Sequence, residues 1–214
     1  LPIISGRKSP YECPLFEVKP GGEVLLKNLH FFGFSNRLGN TYNGLSGGFV
    51  QFSGVGTNFI KFTMEDSVVD ECASRGSGGV FGVGWYTRSL YPAKVKIIIR
   101  RCDFLNNAAS NNGGVLSVSA SSPGSSIVIE DSFFGDNSGT AGGLFYNNDV
   151  IRNQNDQILK FDIILRRSVF TRNRASHLGG ILYYNDDGLV ESNANIMTDQ
   201  QSQSVDNLYI RNWP

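Results

Sequence analysis

Five stretches of this chain, residues 24–26, 60–64, 95–99, 127–129 and 163–165, carry apolar side chains at every second position. A two-residue period is the mark of a β-strand with one face turned to a core. One column reads Val24, Phe62, Ile97, Ile127, Ile163, and the column two residues on reads Leu26, Met64, Ile99, Ile129, Leu165. Both are assigned inward. The intervening residues, Leu25, Thr63, Ile98, Val128 and Ile164, then face outward, and all but one of them are apolar. Leu208-Tyr209-Ile210 has the same pattern and is read as a sixth copy of this strand, which puts Tyr209 in the outward column. No segment of helical length shows apolar spacing near 3.6, so helices are not expected beyond a turn or two.

A second pattern lies downstream of each strand. Three copies carry Phe-x-x-Asn, at Phe104/Asn107, Phe134/Asn137 and Phe170/Asn173, while the two earlier copies have Phe31/Phe34 and Val69/Cys72. Five Gly-Gly pairs follow, at Gly47-Gly48, Gly78-Gly79, Gly113-Gly114, Gly142-Gly143 and Gly179-Gly180, each opening a short apolar run. The unit therefore reads strand, turn with Phe and Asn, Gly-Gly, strand, loop, and recurs at a period of about 30 residues. Units this small cannot bury a face alone and must stack on their neighbours. A propeller blade needs four strands in about 40–45 residues. These shorter units, with two clear strands, fit one coil of a right-handed, single-stranded parallel β-helix.

The expected fold class is thus all-β, with about five full coils and a partial sixth. Residues 1–22, rich in proline, are expected to form an irregular N-terminal cap, and 23–214 the β-helix. Coil boundaries fall at about 23–58, 59–93, 94–125, 126–157 and 158–204, with the partial coil at 205–214.

Charge supplies an independent check on the register. The residue pairs closing the first strand are Lys27-Asn28, Glu65-Asp66, Arg100-Arg101, Glu130-Asp131 and Arg166-Arg167. Stacked coil on coil, the first column alternates in sign throughout, and opposite charges across a ladder favour that register. Arg211, placed sixth by this alignment, breaks the alternation.

Composition changes the picture mainly by exclusion. The chain has 214 residues, with 19 basic and 19 acidic side chains that cancel. That balance makes no electrostatic case for nucleic acid or an anionic membrane, and no apolar run is long enough to insert in a bilayer. The three cysteines are an odd count. Cys72 falls in the asparagine column and Cys102 in a column of small residues with Ser67, Ser132 and Ser168, so both are expected as buried thiols. Whether Cys13 is disulfide-bonded stays open. His30 and His177 sit at different points of the unit and build no catalytic pairing. The Gly-Gly pairs lack the Lys-Ser/Thr of a phosphate loop, and no cofactor or metal is expected. A 20-residue polar stretch at 185–204, with Asp186, Asp187, Glu191 and Asp199, reads as a solvated loop.

With these motifs in hand, the chain resembles the repeat family of polymorphic outer-membrane proteins and related right-handed β-helix surface proteins. The segments that carry the likeness are Phe104-Leu105-Asn106-Asn107, Phe134-Gly135-Asp136-Asn137 and Phe170-Thr171-Arg172-Asn173, with the five Gly-Gly openings. The resemblance spans about residues 23–213 and implies an extracellular or cell-surface location and a structural or adhesive role within a longer polypeptide.

Two classes of function follow. The first is a non-catalytic structural or adhesion module, a rod-like section of a larger assembly. Its partners would be other protein chains or further segments of the same polypeptide, met laterally or end to end. The outward column (Leu25, Ile98, Val128, Ile164, Tyr209) and Trp213, near an uncapped C-terminal end, are the candidate interface. The alternative is a polysaccharide-binding or polysaccharide-cleaving β-helix of the pectin-lyase type. For that reading Trp85, Tyr86 and Tyr91 are candidate glycan contacts, and Asp66, Asp70 and Asp103 are the nearest approach to a carboxylate cluster.

Overall fold

The structure, a computed structural model, describes residues 1–6, 14–36, 47–54, 56–84, 94–118, 124–147, 161–184, 190–193, 196–198 and 208–210. The chain winds through four parallel sheets, visiting each once per coil. Sheet I holds six strands, Glu23–Lys27, Phe59–Glu65, Lys94–Arg100, Ser125–Glu130, Phe161–Arg166 and Val190–Asn193. Sheet II holds seven, Ile3–Ser5, His30–Phe32, Val68–Asp70, Asp103–Leu105, Phe133–Gly135, Val169–Thr171 and Ile196–Thr198. Sheet III is narrow, with five strands from Ser35–Asn36 to Arg174–Leu178. Sheet IV carries the runs that follow the glycine pairs, in seven strands from Phe16–Val18 to Leu208–Ile210. All pairings are parallel, so this is a β-helix, with four strands per coil where the sequence pattern showed two.

The corners explain the extra strands. Between sheets I and II the chain turns on a single residue in the left-handed region: Asn28, Asp66, Arg101, Asp131 and Arg167, with φ from 47° to 56°. Between sheets II and III it turns on Gly33, Glu71, Asn106, Asp136 and Arg172. A left-handed residue costs an L-amino acid roughly 1–2 kcal/mol, and here two columns of them recur coil after coil. Each makes a corner so tight that sheets I to III follow one another without a loop.

The glycine pairs make the third corner, and each member has its own reason. The first glycine has positive φ, as in Gly78 at 70° and Gly113 at 67°. The second lies against the next coil: a Cβ on Gly79 would strike the carbonyl oxygens of Gly114 and Ala108. Gly-Gly therefore marks the place where backbone meets backbone.

The inward columns of sheet I are as read from the sequence. Phe62, Ile97 and Ile163 have no exposed surface, and Met64, Ile99, Ile129 and Leu165 are equally buried. They face Phe52, Phe81, Leu116 and Phe145 of sheet IV, the ring of Phe52 standing 5.5 Å from that of Phe62. The Phe-x-x-Asn phenylalanines stack in the middle, Phe104 on Phe134 at 4.9 Å and 3°, and Phe134 on Phe170 at 5.2 Å and 17°.

The ends differ from the expectation. Residues 1–22, read as a cap without strands, contribute Ile3–Ser5 to sheet II and Phe16–Val18 to sheet IV. The stretch 185–204, read as one loop, contains two strands, Val190–Asn193 pairing with sheet I and Ile196–Thr198 with sheet II. Leu208–Ile210 is therefore not the sixth strand of sheet I. It pairs with Leu182–Tyr184 in sheet IV. The residue in register with Arg166 is Asn193 rather than Arg211.

Candidate functional site

On the outer face of sheet I the register aligns Leu25, Thr63, Ile98, Val128 and Ile164, as expected, and the backbone of Glu191 pairs next to Ile164. Tyr209 leaves this column because its strand belongs to sheet IV. Leu25 is 65% exposed, and Thr63, Ile98, Val128 and Ile164 are half-buried. Alternation on a half-buried strand calls for polar residues here, so a run of apolar ones is a departure from the solvent-facing norm.

Charge borders the stripe on both sides. Along one edge runs a continuous ladder: Lys27 to Glu65 at 3.2 Å, Glu65 to Arg100 at 3.7 Å, Arg100 to Glu130 at 3.0 Å, Glu130 to Arg166 at 3.3 Å. At the corner beyond it, Arg101 grips Asp66 through two hydrogen bonds (2.6 and 3.0 Å), and Arg167 grips Asp131 at 2.7 and 2.9 Å. Hydrogen bonds from these arginines hold Asp66 and Asp131 below the usual carboxylate range, and Arg100 does the same for Glu130. Along the other edge Lys61 pairs with Glu23 at 3.5 Å and Lys96 lies over the Phe59 ring at 4.7 Å. The site is a mainly apolar lane about one side chain wide, with a salt-bridge ladder along one edge and mixed charges along the other. The ladder charges are engaged within the chain.

The carboxylates named for the alternative reading have separate duties. Asp66 is held by Arg101 at the first corner. Asp70 Oδ1 accepts a hydrogen bond from Asn106 Nδ2 at 3.1 Å. Asp103 is exposed on the outer face of sheet II, in register between Val68 and Phe133, with its pKa raised by partial desolvation. Among the described residues no group of three or more His, Cys, Asp or Glu is placed to hold a metal ion. Trp85, Tyr86, Tyr91, Trp213, Cys13, Asp186 and Asp187 lie outside the described residues.

Inside, the asparagines form an unbroken amide ladder. Asn107 N–H donates to Asn137 Oδ1 at 3.0 Å and Asn137 N–H to Asn173 Oδ1 at 3.1 Å. The side-chain amides donate to Val69, Phe104 and Phe134 carbonyls of the preceding coil at 2.9–3.1 Å. Cys72 occupies the next place down, its N–H donating to Asn107 Oδ1 at 2.9 Å. Both Cys72 and Cys102 are buried, and burial pushes their thiols up to about 12, which leaves them unreactive near neutrality. The serine column behaves likewise: Ser132 Oγ accepts from Cys102 N–H and donates to Glu130 O.

Two features were missed in the sequence. The middle column of sheet IV runs Glu17, Gln51, Gly82, Ser117, Tyr146, Tyr183, with Gln51 and Ser117 buried, and Tyr146 stacks on Tyr183 at 5.0 Å and 17°; the backbone register continues to Tyr209. Its signal was available, since every member from Gln51 to Tyr183 is the third residue after a Gly-Gly pair. The other is a third charged column, in which Arg172 binds Asp136 through two hydrogen bonds at the second corner.

Comparison with family models, with curated proteins and with solved structures finds no match to this chain.

Proposed function

We propose that the chain is a non-catalytic structural or adhesion module, a section of a larger extracellular or cell-surface assembly that meets other proteins through the outer face of sheet I. The observation that supports this is the lane of Leu25, Thr63, Ile98, Val128 and Ile164, mainly apolar and partly exposed beside a continuous salt-bridge ladder. Such a face offers apolar area at its centre and polar groups at its rim, the anatomy of a protein contact. The resemblance of the Phe-x-x-Asn and Gly-Gly repeats to surface β-helices points the same way.

The double variant Ile98→Lys/Val128→Lys tests the contact. Both side chains already reach solvent, so the fold is expected to survive while cross-linking to neighbouring protein through sheet I is lost. Undiminished cross-linking would sink the lane as an interface. The non-catalytic half is tested by incubating the chain with acidic polysaccharides and following new reducing ends. Their release at a rate proportional to protein would replace this reading by the polysaccharide-cleaving one.

A further inference from the structure

Sheet II presents a second outer face, away from the lane of sheet I. From His30–Phe32 to Val169–Thr171 its five strands are bounded on both sides by the left-handed corners. One outward column along it reads His30, Val68, Asp103, Phe133, Val169. Val68, Phe133 and Val169 are half-buried and Asp103 is exposed. No lysine or arginine occurs in any of the five strands.

The nearby charges are already matched, with one exception. Arg101 holds Asp66, Arg167 holds Asp131, Arg172 holds Asp136, and Asp70 accepts from Asn106. Asp103 has no hydrogen-bond or ion-pair partner for its carboxylate among the described residues. Its neighbours in register, Val68 and Phe133, are apolar, and the next outward residue of its own strand is Leu105. Partial desolvation raises its pKa, the condition of a carboxylate that an incoming cation would relieve.

The ring beside it is held in place by a glycine. A Cβ on Gly135 would meet Phe133 Cε1 at 2.7 Å and Leu105 Cδ2 at 3.4 Å, so the Phe133 ring lies where a side chain of Gly135 would stand. Glycine inside a strand gives up packing of its own; here the space it leaves lays an aromatic ring across the sheet, one strand away from Asp103. A carboxylate with an aromatic ring alongside matches the head of a lysine or arginine, through charge and through the ring face.

We propose that this face binds a short extended segment of a partner protein, carrying a lysine or arginine flanked at alternate positions by apolar side chains, with the cation on Asp103 and against Phe133. The dimensions favour a segment over a folded partner. Five strands about 4.8 Å apart and two outward columns about 7 Å apart make a patch roughly 20 Å by 7 Å, far below the ~800 Å² per partner of a stable interface between folded proteins. An extended segment laid along the column repeats its side-chain direction about every 6.8 Å. With the cation over Asp103, one apolar neighbour reaches past Val68 and the other falls between Phe133 and Val169. The contact is separate from that of sheet I and stands or falls without it.

The probe is a fluorescent peptide, Ser-Val-Ser-Lys-Ser-Leu-Ser, capped at both ends and titrated with the purified chain while anisotropy is followed. Saturable binding is expected, weakened at least about tenfold by Asp103→Asn and abolished by Asp103→Lys. Both changes fall on an exposed side chain, and circular dichroism establishes that each variant melts as the wild type does. A peptide with serine in place of valine and leucine is expected to bind at least about tenfold more weakly. Absence of saturable binding to the wild type up to about 1 mM overturns the proposal. Equal binding by Asp103→Asn overturns it too, and equal binding of the serine-flanked peptide reduces the contact to ionic attraction and rejects the apolar part. Binding that Ile98→Ser/Val128→Ser abolishes while Asp103→Asn leaves it intact moves the peptide to sheet I and likewise overturns the assignment.

Discussion

Asn137 shows how much one residue does in a solenoid. Its side chain accepts from Asn107 on one side and donates to Phe104 O and to Asn173 Oδ1, all inside the coil. Replacing it with alanine leaves several buried groups unpaired at about 1–3 kcal/mol each. Asn137→Ala is expected to lose at least about 3 kcal/mol in a denaturant titration. Cys72 gives the opposite case. An asparagine there could receive the Phe34 N–H and donate to Asn107 Oδ1, as the asparagines above it do. Cys72→Asn is expected to gain on the order of 1 kcal/mol, and an unchanged or lower denaturation midpoint would show that the ladder does not extend by simple addition. The left-handed corner residues belong to this scale too. Asp and Asn at such sites are familiar, but Arg101, Arg167 and Arg172 hold φ of 47° to 52°. Their bidentate carboxylate partners in the preceding coil account for arginine there.

At the scale of the strand, sheet I is held in register by its outer charges as well as by its core. Individually such pairs stabilise little, because water screens them, but they act with one sign. Glu130, Asp66, Asp131 and Asp136 all have lowered pKa values, each chiefly through an arginine hydrogen bond. A carboxylate whose folded pKa is depressed contributes stability that is complete above its unfolded value, about 4, and is lost as pH falls through the folded one. Asp103 runs the other way, its pKa raised by desolvation, but the residue is exposed, so solvent screens most of that cost. Thermal unfolding is therefore expected to show stability falling below about pH 4, more steeply at low salt. A flat profile between pH 6 and pH 3 would mean that the ladders are ornamental.

Over the whole molecule, contacts run almost entirely between successive coils, so stability is built from neighbour to neighbour. Amides of Lys94–Arg100 and Ser125–Glu130, flanked by coils on both sides, are expected to be the slowest in hydrogen exchange, and those of Ile3–Ser5 the fastest. Exchange equally slow at Ile3–Ser5 would show that something already covers that end. The same scale is where the sequence misled. Leu208-Tyr209-Ile210 has the alternation of a sheet I strand, but so has any short apolar triplet, and Leu182–Tyr184 of sheet IV matches it as well. Val190-Glu191-Ser192-Asn193 is the true sixth strand of sheet I, and three of its four residues are polar, so no pattern betrays it. Its place is decided by pairing with Ile163–Arg166 one coil earlier.

The sequence by itself determined the period, the parallel stacking, the inward columns, the amide and aromatic ladders and the alternating charges. It could do so because in a parallel β-helix equivalent residues of successive coils are neighbours in space, and a comparison of repeats is already a contact map. What only the tertiary structure decided was how each coil turns its corners and how the solenoid's outermost described strands pair. The two extra strands per coil depend on left-handed corners, and nothing in residue type alone demands them of arginine. The strands at the two ends depend on an edge offering unpaired backbone groups, which a degenerate sequence such as Val190–Asn193 can satisfy as well as a regular one. Repetition is written along the chain, but the way a repeat begins and ends is a matter of which edge is free to pair.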